Sequence, residues 1–244
     1  MKVIFNADDF GLTEGVNQGI VESFRSGVVR STTFMVGMPG EAHAVKLAAD
    51  VPELKIGLHL RFTAGKPLTG HKSLQGDNGL FPAIPGFWQK RDFDPVEVYE
   101  EVVAQVEHYL ALGLSLSHID GHHHCHTHPQ VAPIVYEVAQ QYKVPVRGIG
   151  IAGLDEQPWR YVFTSQFYDT SISVEHAKQL MLEHAPHCDV LEVMCHPAKV
   201  DSQLKAMSSY LAQREQELIT LTSPEFIAFL TEHDIQVTDY SVLI

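Results

Sequence analysis

Residues 118–129 read HIDGHHHCHTHP, with six histidines inside eleven positions. Imidazoles at that density can hold a metal, move protons or fill a histidine-rich loop. Acidic and imidazole groups recur elsewhere: Asp8 and Asp9 in NADDFG, His59 in GLHL, Asp120 and His122 in HIDGH, and His196 in EVMCHPA. One carboxylate with two imidazoles is a donor set for a divalent ion that keeps positions open for water and substrate. Asp9, His59 and His122 are therefore the expected ligands. An ion so held polarises a carbonyl and lowers the pKa of water. Adjacent carboxylates repel unless one faces the metal and the other a proton, which leaves Asp8 as the expected general base. His196 is expected to protonate a leaving group or to orient the base.

Taken singly, each residue has an ordinary structural explanation. Asp8 or Asp9 alone would serve as a helix N-cap, and an isolated histidine usually packs with its ring hydrogen-bonded. His118 and His128 are expected to cap the strand and helix beside them, and Cys125 to pack as a small side chain. If residues 122–126 are extended, His123 points away from His122. His124 and His126 then share the His122 face, and His124 becomes a second candidate for a catalytic contact. Arg61 and Arg147 lie near the ends of strand-like runs and are candidate substrate-binding groups.

These groups act together only if the fold gathers them. Strand-like runs at 3–5, 30–36, 54–60, 116–119, 144–149, 190–194 and 235–238 alternate with helical ones at 14–26, 42–49, 95–112 and 131–141, and from about 174 and 213. Gly27 ends the first helix, and the 95–112 helix carries apolar residues at three- and four-residue spacings. Alternating strands and helices imply right-handed crossovers and a mainly parallel sheet. The expected fold is α/β, an irregular (β/α) barrel resembling a TIM barrel, as one domain over residues 1–244. An open doubly wound sheet is the alternative, but no GxGxxG or P-loop follows the first strand. In a parallel barrel the strand C-termini share one face, so Asp8, Asp9, His59, Asp120, His122 and His196 converge there. Two long segments, 61–94 and 150–170, interrupt the pattern. Long connections in compact domains are often lids or binding loops; their aromatics (Phe62, Phe81, Phe87, Trp88, Trp159, Tyr161, Phe163, Phe167, Tyr168) are expected mostly in the core.

Composition narrows the partners. The chain is 45% hydrophobic and 19% charged, so it can bury a large core. Its formal charge of -13 argues against non-specific nucleic-acid binding and fits a neutral or cationic substrate. There is no apolar run of membrane-spanning length and no signal-peptide pattern at the N-terminus. Three cysteines, Cys125, Cys188 and Cys195, do not describe a disulfide framework. A cytoplasmic protein without membrane or nucleic-acid partners is expected.

In order along the chain, NADDFG, GLHL, HIDGHHHCHTHP and EVMCHPA, with GVVRSTTFMV and YLAQREQEL, resemble the YdjC-like family of carbohydrate deacetylases, which includes chitooligosaccharide deacetylase. That resemblance implies an irregular (β/α) barrel, a divalent ion (Mg²⁺, with Zn²⁺ or another divalent ion as alternatives) and a homodimer. It implies removal of the N-acetyl group from N-acetylglucosamine in a short oligosaccharide, such as diacetylchitobiose or its 6-phosphate. Matched by motif, Asp9, His59 and His122 are the implied ligands, Asp8 the base, and His196 a catalytic or substrate-facing histidine. Gly121, Cys125, Thr127, His128 and Ala198 depart from the family pattern without touching these positions. The rival readings are a metal-dependent barrel hydrolase of another amide or a phosphoester, and a histidine-rich metal-handling protein. Amidohydrolase-type barrels open with an HxH pair where this chain has two aspartates. A metal-handling tract would leave Asp9, His59 and His196 unexplained.

Overall fold

The sequence KVIFNADDF forms strand β1, Lys2–Phe10, in which every residue after Lys2 is buried. Burial on both faces is what a parallel strand covered on both sides requires. A computed structural model describes residues 1–148 and 160–244. Around β1 stand β2 (Ser31–Phe34), β3 (Lys55–Leu60), β4 (Ile119–Gly121), β5 (Tyr161–Thr164), β6 (Val190–Cys195) and β7 (Gln236–Thr238), and all pairings are parallel. The sheet runs β4-β3-β2-β1-β6-β5. β6 lies along one edge of β1; the other edge is shared by β7, at Lys2–Ile4, and β2, from Asn6 onward. The result is a curled, half-barrel parallel sheet, the irregular (β/α) architecture expected. Among the described residues no ladder joins β5 back to β4.

Helices α1 (Glu14–Ser26), α2 (Glu41–Ala49), α3 (Ile84–Gln89), α4 (Pro95–Ala111), α5 (Ala132–Tyr142), α6 (Val174–His184), α7 (Ser202–Met207), α8 (Ala212–Leu221) and α9 (Pro224–Glu232) cover the sheet. Caps set their starts. Thr13 accepts from the Val16 amide at 3.3 Å, and Asp94 from Val96 at 2.8 Å, with Pro95 opening α4. On α4 the buried Val98, Val102 and Val106 repeat at four-residue spacing and form its inward stripe. Each such valine contributes at most about 1.5–3 kcal/mol by leaving water. No helix among the described residues is long and apolar enough to cross a membrane.

Strand alternation decides what enters the barrel. Val3, Phe5 and Ala7 face the helices, as the edge-on contact of Phe5 with Phe226 at 5.7 Å shows. Asn6 and Asp8 face inward, where Ser31 donates to Asn6 Oδ1 at 2.7 Å and Asn6 donates to Asp8 Oδ1 at 3.0 Å. Below them Ile4, Val190, Tyr240 and Leu243 form a separate apolar floor, and Tyr240 stacks on His118 at 3.6 Å.

Four local expectations change. The strand expected at 116–119 begins at Ile119, because Ile119–Gly121 pairs with Leu58–Leu60, and Asp120 within it finds its partners His59 and Arg147 inside the sheet. Of the run expected at 144–149, Val146 makes a single bridge to Ile119, and Ile149 lies outside the described residues. The 150–170 segment contains β5, whose YVFT pairs with β6; Trp159 lies outside the described residues. The 61–94 segment contains α3. It is also tied down: Glu101 accepts from the Leu68 and Thr69 amides at 3.1 and 3.0 Å.

Candidate active site

Asp8 and Asp9 sit side by side at the end of β1, yet in a regular strand they would face opposite ways. A bulge resolves this. Between Ala7 and Phe10 the β1–β2 register slips by one residue, and Asp9 takes the left-handed backbone φ of 75°. Both carboxylates then line one cleft of about 830 Å³, with His59, His122, His123, His124 and His196. Residues held in such a conformation cluster at functional sites, where the surrounding structure must over-determine them.

Asp8 is fixed from below. Arg147 donates to its Oδ2 and Oδ1 at 2.7 and 2.6 Å, reaches Asp120 Oδ2 at 2.8 Å, and donates from Nε to Glu192 Oε1 at 2.6 Å. Burial pushes the Asp8 carboxyl up, but Arg147 outweighs it and holds the group below its ordinary value. Asp9 is held from the other side by Arg214 of α8, whose Nη2 donates to Oδ2 at 2.6 Å. There too burial raises the carboxyl, and Arg214 with His122 brings it well below the usual range.

The other Asp9 oxygen is the informative atom. Oδ1 is buried and has no aligned hydrogen bond among the described residues. His122 Nδ1 lies 2.9 Å from it and His59 Nε2 3.4 Å. These three donor atoms all lie within 4.8 Å of one another. His59 uses its other nitrogen, Nδ1, to donate to Asp120 Oδ1 at 2.6 Å, and Thr33 Oγ1 donates to Asp120 Oδ2 at 3.1 Å. A carboxylate behind a histidine is the usual support of a metal-ligating imidazole, fixing its tautomer and aim. Burial alone would depress the His59 imidazole, and Asp120 beside it raises it to about 10. The Asp9, His59 and His122 donors thus fit a divalent cation, which would satisfy the orphaned oxygen. A second cluster of Asp8, His59 and Asp120 fits one less well, since Arg147 already neutralises both carboxylates.

His196 follows β6 and lies with Nε2 3.9 Å from Asp8 Oδ2. Glu217 of α8 accepts from the His196 backbone amide and stands 3.8 Å from Nδ1. Tyr210 donates to Glu217 at 2.7 Å. The Asp8 carboxylate and the His196 imidazole therefore flank the same space, and each is held by its own charged partner.

The family model described as YdjC-like protein matches residues 2–232. The chain belongs to the YdjC-like family. Similar curated proteins are named carbohydrate deacetylase. One from Vibrio cholerae serotype O1 is 59% identical over 244 residues, covering 100% of this chain and 97% of the relative. One from Geobacillus stearothermophilus is 40% identical over 241 residues, covering 97% and 96%. A crystal structure from Enterococcus faecalis V583, named as a proposed cellobiose-phosphate cleavage protein, superposes with a TM-score of 0.89 at 33% identity, covering 99% of this chain and 98% of that one.

Within this YdjC-like chain the sequence-derived candidates divide clearly. Asp8, Asp9, His59, His122, His124 and His196 all line the cleft. Arg61 and Arg147 do not face a substrate; each is 1% exposed. Arg61 spends its guanidinium on the carbonyls of Val36, Ala64 and Lys66, at 2.6, 3.1 and 2.7 Å, and pins the loops that wall the cleft. Arg147 is consumed by three carboxylates. The histidine run is not extended. His122–Thr127 is a tight turn in which His123 and His124 adopt left-handed φ of 52° and 56°. His123 therefore lines the cleft, with Nδ1 2.8 Å from Thr63 Oγ1, whereas His126 turns into the interior. Gly121 permits this turn, because a Cβ there would lie 2.7 Å from Cys125 Sγ. Cys125 is a packed small residue, as expected, its thiol donating to the Leu60 carbonyl at 3.2 Å. His118 stacks on Tyr240, and His128 packs against Phe87, Trp88 and Phe93 while its Nδ1 accepts from the Gln130 amide at 3.2 Å. Arg214, Glu217, Glu192 and Tyr210 were not foreseen as site residues. The available signal was a charged pair, Arg214 and Glu217, three apart on a helix and buried on the same face.

Proposed function

We propose that this chain is a metal-dependent deacetylase that removes the N-acetyl group from N-acetylglucosamine in a short oligosaccharide, diacetylchitobiose or its 6-phosphate, and releases acetate. The observation that carries this reading is the convergence of Asp9 Oδ1, His59 Nε2 and His122 Nδ1 beside a separately anchored Asp8–His196 pair. Names of the similar curated proteins support the substrate class.

Asp9, His59 and His122 would hold the ion, which when bound supplies Lewis-acid polarisation and lowers the pKa of water. Asp8 performs the proton abstraction. Its Oδ1 already accepts from Arg147 and Asn6, but Oδ2 accepts only from Arg147 and keeps a lone pair on the His196 side. Held as a carboxylate by Arg147, Asp8 takes a proton from the attacking water as the water oxygen bonds to the acetamide carbon. The carbon–nitrogen bond then breaks, and His196, oriented by Glu217, gives a proton to the departing nitrogen. His124, also on the cleft wall, is the second candidate for this step. The products are acetate and a sugar amine, cationic near neutral pH, and the site's excess of carboxylates favours a cation over an anion. Mg²⁺ is the ion implied by the resemblance, while two imidazole nitrogens are donors better suited to Zn²⁺ or another transition ion.

The test is acetate release from N-acetylated mono- and oligosaccharides, with and without a 6-phosphate, with Mg²⁺ or Zn²⁺. Acetate from an N-acetylglucosamine-containing sugar is expected; none from any sugar overturns the substrate class.

A further inference from the structure

We infer that Tyr168 is a stacking platform for a second sugar ring, adjacent to the ring whose acetamide reacts; this rests on the deacetylase reading above and extends it to substrate length. Among the described aromatics of the two long segments, burial or inward anchoring removes most. Phe62, Phe81, Phe87 and Phe167 are at most 5% exposed. The Tyr161 hydroxyl is held by Glu192, and Phe163 lies under the Arg147 guanidinium at 5.2 Å. Trp88 packs on His128 and lies off the cleft wall. Tyr168 is 44% exposed and lines the cleft.

Tyr168 is also held still. One of its faces stacks on Tyr210, with ring centroids 4.5 Å apart and planes 4° from parallel, so what it shows to the cleft is the rest of the ring. Its loop is fastened to α8 and to the residues just before it: Gln213 donates to Asp169 Oδ1 at 3.0 Å, and the Asp169 amide donates to the Tyr210 hydroxyl at 3.0 Å. Ordering an aromatic before binding lowers the entropy lost when a ligand settles on it. Tyr168 also meets His196 edge-on, ring centroids 5.8 Å apart. A group lying on Tyr168 is therefore next to the reacting position rather than in it. A pyranose ring presents an apolar face of C–H groups, which suits an aromatic surface, and its hydroxyls would meet the nearby Ser165, Ser208 and Ser209. The cleft, about 830 Å³, is near the upper end of the roughly 300–1,000 Å³ of small-molecule sites, so it has room beyond a single ring.

The experiment measures kcat and KM for acetate release from N-acetylglucosamine and from diacetylchitobiose, in wild type, Tyr168→Ala, Tyr168→Phe and Tyr168→Trp. The expected result is that Tyr168→Ala raises KM for the disaccharide roughly 5- to 10-fold with kcat little changed, while Phe and Trp stay near wild type. Any activity on the monosaccharide should be insensitive to all three changes. An unchanged disaccharide KM in Tyr168→Ala overturns the inference. So does a loss in Tyr168→Phe equal to that in Tyr168→Ala, or a fall in kcat on both sugars, which would mark Tyr168 as a prop for His196. Wild-type inactivity on both sugars and on their 6-phosphates overturns the parent reading, and is distinct from each of these results; activity on the 6-phosphates alone moves the same comparison of variants to those substrates.

Discussion

Arg147 and Asp8, 139 residues apart in sequence, meet through two hydrogen bonds of 2.7 and 2.6 Å in the buried interior. The same guanidinium also serves Asp120, which orients His59, and Glu192, which anchors it from below. One buried cation thus couples the proposed base to the support of a proposed metal ligand.

Removing that cation leaves three buried carboxylates without their common partner. Arg147→Met is expected to lose about 3–5 kcal/mol of stability, since an uncompensated buried charge costs far more than the pair contributes. Arg147→Lys keeps the charge but not the fork, and should fall between. Thermal unfolding of the three proteins checks the order. Equal midpoints for wild type and Arg147→Met would refute the clamp.

Arg61 predicts a different pattern. Arg61→Met strips donors from the Val36, Ala64 and Lys66 carbonyls. A loss of about 1–3 kcal/mol is expected in denaturant unfolding. With no contact to the cleft, its effect on the catalytic step should stay small. A large rise in KM with unchanged stability would instead restore Arg61 as a substrate-binding group.

How much of this was readable in advance follows from what each signal depends on. The α1 and α4 helices were legible because caps and apolar spacing are local properties, and both ends fell within a residue of expectation. The gathering of Asp8, His59, His122 and His196 followed from parallel strands ending on one face, whereas Asp9 joins them only through the bulge in β1. The orientation of the histidine run did not, because two non-glycine residues in left-handed conformation break the alternation assumed for an extended segment. Nor did the roles of Arg61 and Arg147. A basic residue after a strand looks the same whether it reaches for substrate or turns inward, and only its buried partners distinguish the two. The β5 strand was missed because its four residues lie inside a segment rich in turn signals.

Acid should weaken the fold before the carboxylates titrate. Burial pushes His118 and His126 each down to about 3 from 6.5. The folded chain then keeps them neutral while the unfolded chain protonates them. Their contribution is full above pH 6.5 and shrinks as pH falls toward 3, by up to about 1.4 kcal/mol per pH unit for each histidine. His118→Phe preserves a ring against Tyr240 and removes one titrating group. Its stability, measured by urea unfolding between pH 7 and 5, should depend less steeply on pH than that of wild type. An identical slope would contradict the assignment.

Glu217→Gln tests how His196 is aimed. Glu217 accepts from the His196 amide and from the Tyr210 hydroxyl. The variant should lower kcat by about 10-fold or more and leave KM nearly unchanged, because a misdirected proton donor affects the transition state more than binding. Steady-state kinetics separate the two parameters. A selective rise in KM would place Glu217 in substrate binding instead.

The central claim is that Asp9, His59 and His122 hold an ion while Asp8 does the proton chemistry. Its most direct measurement is acetate release from diacetylchitobiose by chelator-treated protein as divalent cation is added back, in wild type and Asp8→Asn, with cation binding followed in parallel by calorimetry. Wild type should be silent after chelation and recover with about one equivalent of cation, matching a single site. Asp8→Asn should bind the cation comparably and release acetate at least about 100-fold more slowly. Full activity after chelation, or wild-type turnover in Asp8→Asn, would contradict the account.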